Sequence, residues 1–78
     1  MPHVAVKLYA GKSEEEKQRI ADAMTQALKD AIGSTTESVS VSIEDVPPSE
    51  WMSEVFDKEI VKNNHLLYKR PGYADIPE

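Results

Sequence analysis

The sequence predicts an α+β protein: a β-α-β protomer with parallel strands and an additional C-terminal helical segment. Three observations predict it. Apolar residues alternate from Val4 to Leu8 and again across residues 38–44, and a helix-spaced apolar stripe lies between those two stretches. The chain has 78 residues, enough for a single domain over 1–78 and no more.

In the first stretch Val4, Val6 and Leu8 share one face, while Ala5, Lys7 and Tyr9 share the other. Period two with β-branched residues reads as a strand, which Gly11 breaks. Ser13-Glu14-Glu15-Glu16 is a capping-box sequence. In it the serine hydroxyl accepts from the third backbone N–H, and the glutamate reaches back to the serine N–H. Three carboxylates in the first turn also suit the positive end of the helix dipole. Ile20, Met24, Ala27, Leu28 and Ala31 then fall at helical spacing, with alanines expected to thin the buried stripe, and Gly33 stands where a left-handed cap belongs.

Ser38-Val39-Ser40-Val41-Ser42-Ile43-Glu44 puts Val39, Val41 and Ile43 on one face and the serines on the other, a second half-buried strand. Strand, helix and strand form a unit whose strands run parallel with a right-handed crossover. Pro47-Pro48 stops the second strand. From Ser49 the pattern is helical again, with Trp51, Val55 and Phe56 apolar. Asp57 is a candidate cap for a further stretch holding Ile60, Val61, Leu66 and Leu67, ended by Pro71-Gly72.

Composition excludes several classes. Nine basic against fourteen acidic residues give a formal net charge of −5, with no basic stripe interleaved with aromatics, so nucleic acid is not an expected partner. No apolar run comes near about 18 residues and no leader pattern opens the chain, so no membrane partner is expected and the location is read as cytoplasmic. There is no cysteine, and His3 and His65 lie far apart, which argues against a disulfide or a structural metal. A domain this small buries only roughly 60–65% of its unfolded surface. Sharing surface between copies is the remaining route to stability, so a homo-oligomer is expected.

Proline at position 2 has the most chemical potential. Removal of Met1 would leave a free secondary amine. An ordinary α-amino group titrates at about 8. An apolar setting near another cation lowers that value toward neutrality, where a general base works best. An incidental second-position proline is the plain alternative. Lys12 is either a carboxylate-binding cation or a solvated lysine beside a cap. Ten strand residues span roughly 33 Å, so Pro2 and Lys12 can meet only between copies whose first strands run antiparallel. Trp51 is either a pocket wall that excludes water or a core or interface anchor. His3 is either a proton shuttle or a structural or edge residue, and beside Pro2 on a strand the second is the favoured reading. Lys69-Arg70 either holds an anionic substrate, with Arg70 the candidate, or answers the helix dipole.

Together these residues resemble the 4-oxalocrotonate tautomerase family. The resemblance lies in Met1-Pro2, Gly11-Lys12-Ser13-Glu14-Glu15-Glu16-Lys17 and the strand from Ser38 to Glu44. The C-terminal pieces Pro48-Ser49-Glu50-Trp51, Asp57-Lys58-Glu59-Ile60 and Lys69-Arg70-Pro71-Gly72-Tyr73 are similar to its PptA-like branch. The resemblance implies an isomerase acting on a small 2-oxo acid without metal or organic cofactor, with Pro2 as catalytic base and Lys12 as carboxylate-binding cation. It also implies a pocket aromatic at Trp51, in a dimer or larger ring. A dimer is favoured over a hexamer because the longer C-terminal segment would cover surface used for ring closure. Ser40 departs from the prototype, where an arginine polarises the 2-oxo group. The PptA-like branch shares that loss, which favours an aryl enolpyruvate over a dicarboxylate. The same site admits hydration or dehalogenation of an unsaturated acid. A non-catalytic acid-binding or assembly module is the reading from another class.

Overall fold

A computed structural model describes residues 1–76, in the order strand β1 (His3–Tyr9), helix α1 (Glu14–Ile32), strand β2 (Ser40–Val46) and a C-terminal helical region. The chain forms two compact units, Met1–Val46 and the segment from Pro47 onward.

In the first unit β1 and β2 pair in parallel, from His3 opposite Ser40 to Tyr9 opposite Val46. The alternation sorts the two faces. Val4, Val6, Leu8, Val41 and Ile43 are half-buried, whereas His3, Ala5, Tyr9, Ser40, Ser42 and Glu44 are exposed. Helix α1 packs against β2, with Glu14, Lys17, Gln18, Ala21, Val41 and Ile43 bordering a concavity of about 200 Å³.

The ends of α1 form as the sequence predicts. Ser13 Oγ accepts from the Glu16 N–H at 3.1 Å, and Glu16 Oε1 accepts from the Ser13 N–H at 3.0 Å. Gly33 takes φ 73° and donates its N–H to the Lys29 carbonyl at 3.0 Å, a left-handed cap that a side chain would strain. The inward stripe differs from the expected one. Lys17, Ile20, Ala21, Met24, Thr25 and Leu28 are half-buried, while Ala27 and Ala31 are exposed. A two-stranded sheet covers only a narrow arc of the helix, and both alanines fall outside it. Ser13→Ala removes the capping hydroxyl and is expected to lower stability by about 0.5–2 kcal/mol, read from urea denaturation midpoints.

Strand β2 starts and ends two residues later than its apolar alternation suggests. Thr36–Ser38 instead forms a 3₁₀ turn, closed by the Ser38 hydroxyl on the Thr35 carbonyl at 2.8 Å. At the other end the ladder runs on through Asp45 and Val46, opposite Leu8 and Tyr9, and Lys17 Nζ lies 2.6 Å from the Asp45 carboxylate.

The second unit is wound differently from a regular α-helix. A 3₁₀ turn at Pro48–Glu50 leads into a π-helix, Trp51–Val61, and a further 3₁₀ turn covers Asn64–Leu66. Asp57 therefore lies inside the π-helix and caps nothing. Helical structure ends at Leu66, ahead of Pro71, so Lys69 and Arg70 are not cations of a last helical turn. The wider π winding turns each residue through a smaller angle than an α-helix does. Consecutive side chains then diverge less, consistent with Val55 and Phe56 both being buried.

Candidate active site

Pro2 immediately precedes β1 and is half-buried, whereas Met1 is fully exposed. The Pro2 carbonyl accepts from the Ser40 N–H at 3.2 Å. Proline has no N–H, so its nitrogen takes no part in the ladder. With Met1 attached that nitrogen is an amide and cannot act as a base. Without Met1 it is a secondary amine held on the sheet through its own carbonyl. The adjacent register pair carries a contact that sequence reasoning missed, His3 Nδ1 to Ser40 Oγ at 2.7 Å. Residues 3 and 40 are both polar-face positions in the alternation, but only the register makes them neighbours.

Lys12 lies at the far end of β1. The Ala10 N–H donates to the Val46 carbonyl at 3.0 Å, and Gly11 then turns the chain with φ 127°, where a side chain is disfavoured. Lys12 follows, one residue before the cap of α1. Together with Glu16, Arg19, Ile20 and Ala23 it lines an open concavity of about 300 Å³. The Ser13 N–H, then its hydroxyl, holds the Glu16 carboxyl below the ordinary glutamate value. Glu16 is thus engaged with the cap, and Lys12 and Arg19, the latter 3.6 Å from Glu15 Oε1, stand beside an apolar floor of Ile20 and Ala23. Seven strand residues at about 3.3 Å each separate Pro2 from Lys12 by roughly 23 Å. One copy of the chain does not bring them together.

The other two candidates belong to the second unit. Trp51 opens the π-helix, half-buried, and its indole N–H donates to the Tyr73 hydroxyl at 3.1 Å. The Tyr73 ring also tilts against Phe56, centroids 5.9 Å apart at 50°. Tyr73 thus fastens Trp51, a role that the separation of 22 positions along the chain hides from any local pattern. Arg70 is exposed and donates from Nη1 to the Ile76 carbonyl at 3.3 Å. Among the described residues no group of three His, Cys, Asp or Glu side chains is arranged to hold a metal ion, and no helix is long and apolar enough to cross a membrane.

The family model described as Tautomerase enzyme matches residues 2–58. The chain belongs to the tautomerase family. This tautomerase is 40% identical over 76 residues to a protein of Xylella fastidiosa named Probable tautomerase, covering 97% of the chain and 93% of the relative. It is also 40% identical to Tautomerase PptA of Pectobacterium carotovorum over 75 residues, covering 95% and 99%. Among solved structures, a 4-oxalocrotonate tautomerase isozyme from Methylibium petroleiphilum superposes with a TM-score of 0.62 at 38% identity, covering 64% of this chain and 81% of that one. The β-α-β fold and the tautomerase class of enzyme are thereby shared.

Lys17 of this tautomerase ties α1 to β2. Its ammonium is held above the ordinary lysine value of 10.5, first by the hydrogen bond to Asp45, with Glu14 adding to it. A raised folded-state value means that the contribution is complete below the unfolded value and is lost as pH rises through the folded one. Asp45→Asn is therefore expected to lower stability at neutral pH. In urea titrations its deficit against the parent protein should stay constant up to about pH 9 and shrink as pH climbs beyond 10.5.

Proposed function

We propose that this tautomerase interconverts the enol and keto forms of a small 2-oxo acid, an aryl enolpyruvate being the favoured type, with the free amine of Pro2 as general base. The neutral amine takes the proton from the enol oxygen as the C2–O bond becomes a carbonyl. The resulting ammonium returns a proton to C3, where the C2=C3 electron pair receives it. Nothing is oxidised and the enzyme is regenerated. Lys12 of a neighbouring copy holds the substrate carboxylate, and Trp51 and Arg70 are the further substrate-binding candidates.

The observation that carries this reading is the setting of Pro2 within the family match: half-buried, tied by its carbonyl to Ser40, with its nitrogen outside the ladder. The cation-rimmed apolar concavity at Lys12 suits a carboxylate with an apolar body. Assembly follows from the distance between Pro2 and Lys12 and from the thin core. Only Val46, Val55 and Phe56 are buried among the described residues, while Ile32, Met52, Leu66 and Tyr68 are largely exposed. A homodimer acting in the cytoplasm is the form this reading takes. The family match runs across the junction of the two units, which supports one functional domain over the whole chain.

The test uses processed protein whose intact mass shows that Met1 is gone. Phenylenolpyruvate is added and loss of enol absorbance is followed across pH, while NMR follows titration of the Pro2 nitrogen. The expected result is turnover that falls on acidification in step with protonation of that amine, with a midpoint below the value of about 8 for an ordinary α-amine. Turnover with no relation to the Pro2 titration sinks the proline base. Activity confined to hydration or dehalogenation of unsaturated acids would redirect the assignment, and binding without turnover would return it to a non-catalytic module.

A further inference from the structure

The pair His3–Ser40 joins the two strands beside Pro2. Both side chains stand on the exposed face of the sheet, and Nδ1 meets Oγ at 2.7 Å. The backbone of Ser40 is meanwhile fastened to Pro2 by the N–H···O bond at 3.2 Å. Ser40 therefore has a fixed position relative to the Pro2 ring, and its remaining freedom lies in its side-chain torsions. The contact with His3 removes that freedom.

A serine hydroxyl has one proton to donate and two lone pairs. If the ring nitrogen accepted that proton, Oγ could only accept from a ligand. If Nδ1–H donates to Oγ, the hydroxyl proton stays free for an incoming oxygen. We propose that His3 is a positioning residue that donates from Nδ1 to Ser40, so that the Ser40 hydroxyl donates to the 2-oxo oxygen of a substrate held at Pro2. This inference rests on the reading of Pro2 as the base. Negative charge grows on that oxygen as the enol proton leaves, and a donor already oriented toward it stabilises the charge without reorganising. The ligand class is set by the same chemistry: a planar 2-oxo acid or its enol, whose oxygen can accept one hydroxyl hydrogen bond. Ser40 is then a catalytic residue, and His3 acts through it.

Ser40→Ala, His3→Ala and His3→Asn, each with Met1 removed, are compared with the parent protein and with Pro2→Ala on phenylenolpyruvate. Loss of one oriented donor costs on the order of 10²-fold in kcat, so Ser40→Ala is expected to lose up to that amount with KM little changed. His3→Ala should show a smaller loss, also in kcat. His3→Asn should recover it at least in part, because the asparagine amide can turn its NH2 to nearly the place of Nδ1 and donate from there. A purely structural staple would move thermal stability and leave kcat alone, and it would not distinguish Asn from Ala at position 3 by turnover. Parent-like kcat in Ser40→Ala, with Pro2→Ala inactive, overturns this inference and leaves the proline base standing. Parent-like kcat in Pro2→Ala overturns the base itself. Should His3→Ala fail to fold, Ser40→Ala and His3→Asn still decide the matter: a loss in the first with recovery in the second supports it, and any other combination overturns it.

Discussion

Pro2→Ala is expected to lower kcat/KM on phenylenolpyruvate by about 10²-fold or more, within the 10²–10⁴-fold span that a positioned general base contributes. Alanine keeps an α-amine after Met1 is removed, so the change tests more than the presence of a nitrogen. It removes the ring that holds the lone pair in one direction, and it adds an N–H to a position where the ladder uses only the carbonyl. A matched sample that retains Met1 carries an amide nitrogen at residue 2 and should show no base-catalysed turnover at all. The two samples separate orientation from basicity. Equal rates for Pro2→Ala and the parent protein count decisively against proline as the base.

Phe56→Ala is expected to be the most damaging single change to stability, costing about 3–5 kcal/mol. Phe56 is one of three buried residues among those described, and its ring lies against Tyr73, which in turn receives the Trp51 N–H. Marginal stability of about 0.05–0.15 kcal/mol per residue gives a 78-residue chain roughly 4–12 kcal/mol in total. The substitution therefore removes a large part of what exists. A urea midpoint that falls steeply, with Phe56→Leu intermediate, is the expected result. A loss below about 1 kcal/mol would mean that the aromatic cluster is not where the second unit gains its stability.

Much of the first unit was legible from residues alone because its signals are local. The capping box of Ser13 and Glu16 and the left-handed Gly33 form within one helical turn, and both are present at the predicted positions. The parallel strands were readable because period-two alternation reports a half-buried face directly. The same alternation misplaced β2 by two residues. The apolar alternation stops short of Asp45 and Val46, which pair with Leu8 and Tyr9, and Asp45 meets Lys17, a partner distant in sequence. The inclusion of Ala27 and Ala31 in the inward stripe failed for a related reason. Helical spacing gives the direction of a face, while its width depends on how much sheet lies beneath.

The candidate site divides along the same line. Pro2, Lys12, Trp51 and Arg70 could be named from residue type and order, and the β-α-β frame and family membership follow from patterns written along the chain. Neighbourhood could not be read that way. The pairing of His3 with Ser40, the fastening of Trp51 by Tyr73 and the attachment of Arg70 to Ile76 are products of the folded chain. So is the π winding that carries Val55 and Phe56 inward together. Local sequence sets which conformations a segment prefers, since torsions and nearest hydrogen bonds are decided within a few residues. Register and side-chain contact depend on which distant segment arrives opposite, and only tertiary packing selects that.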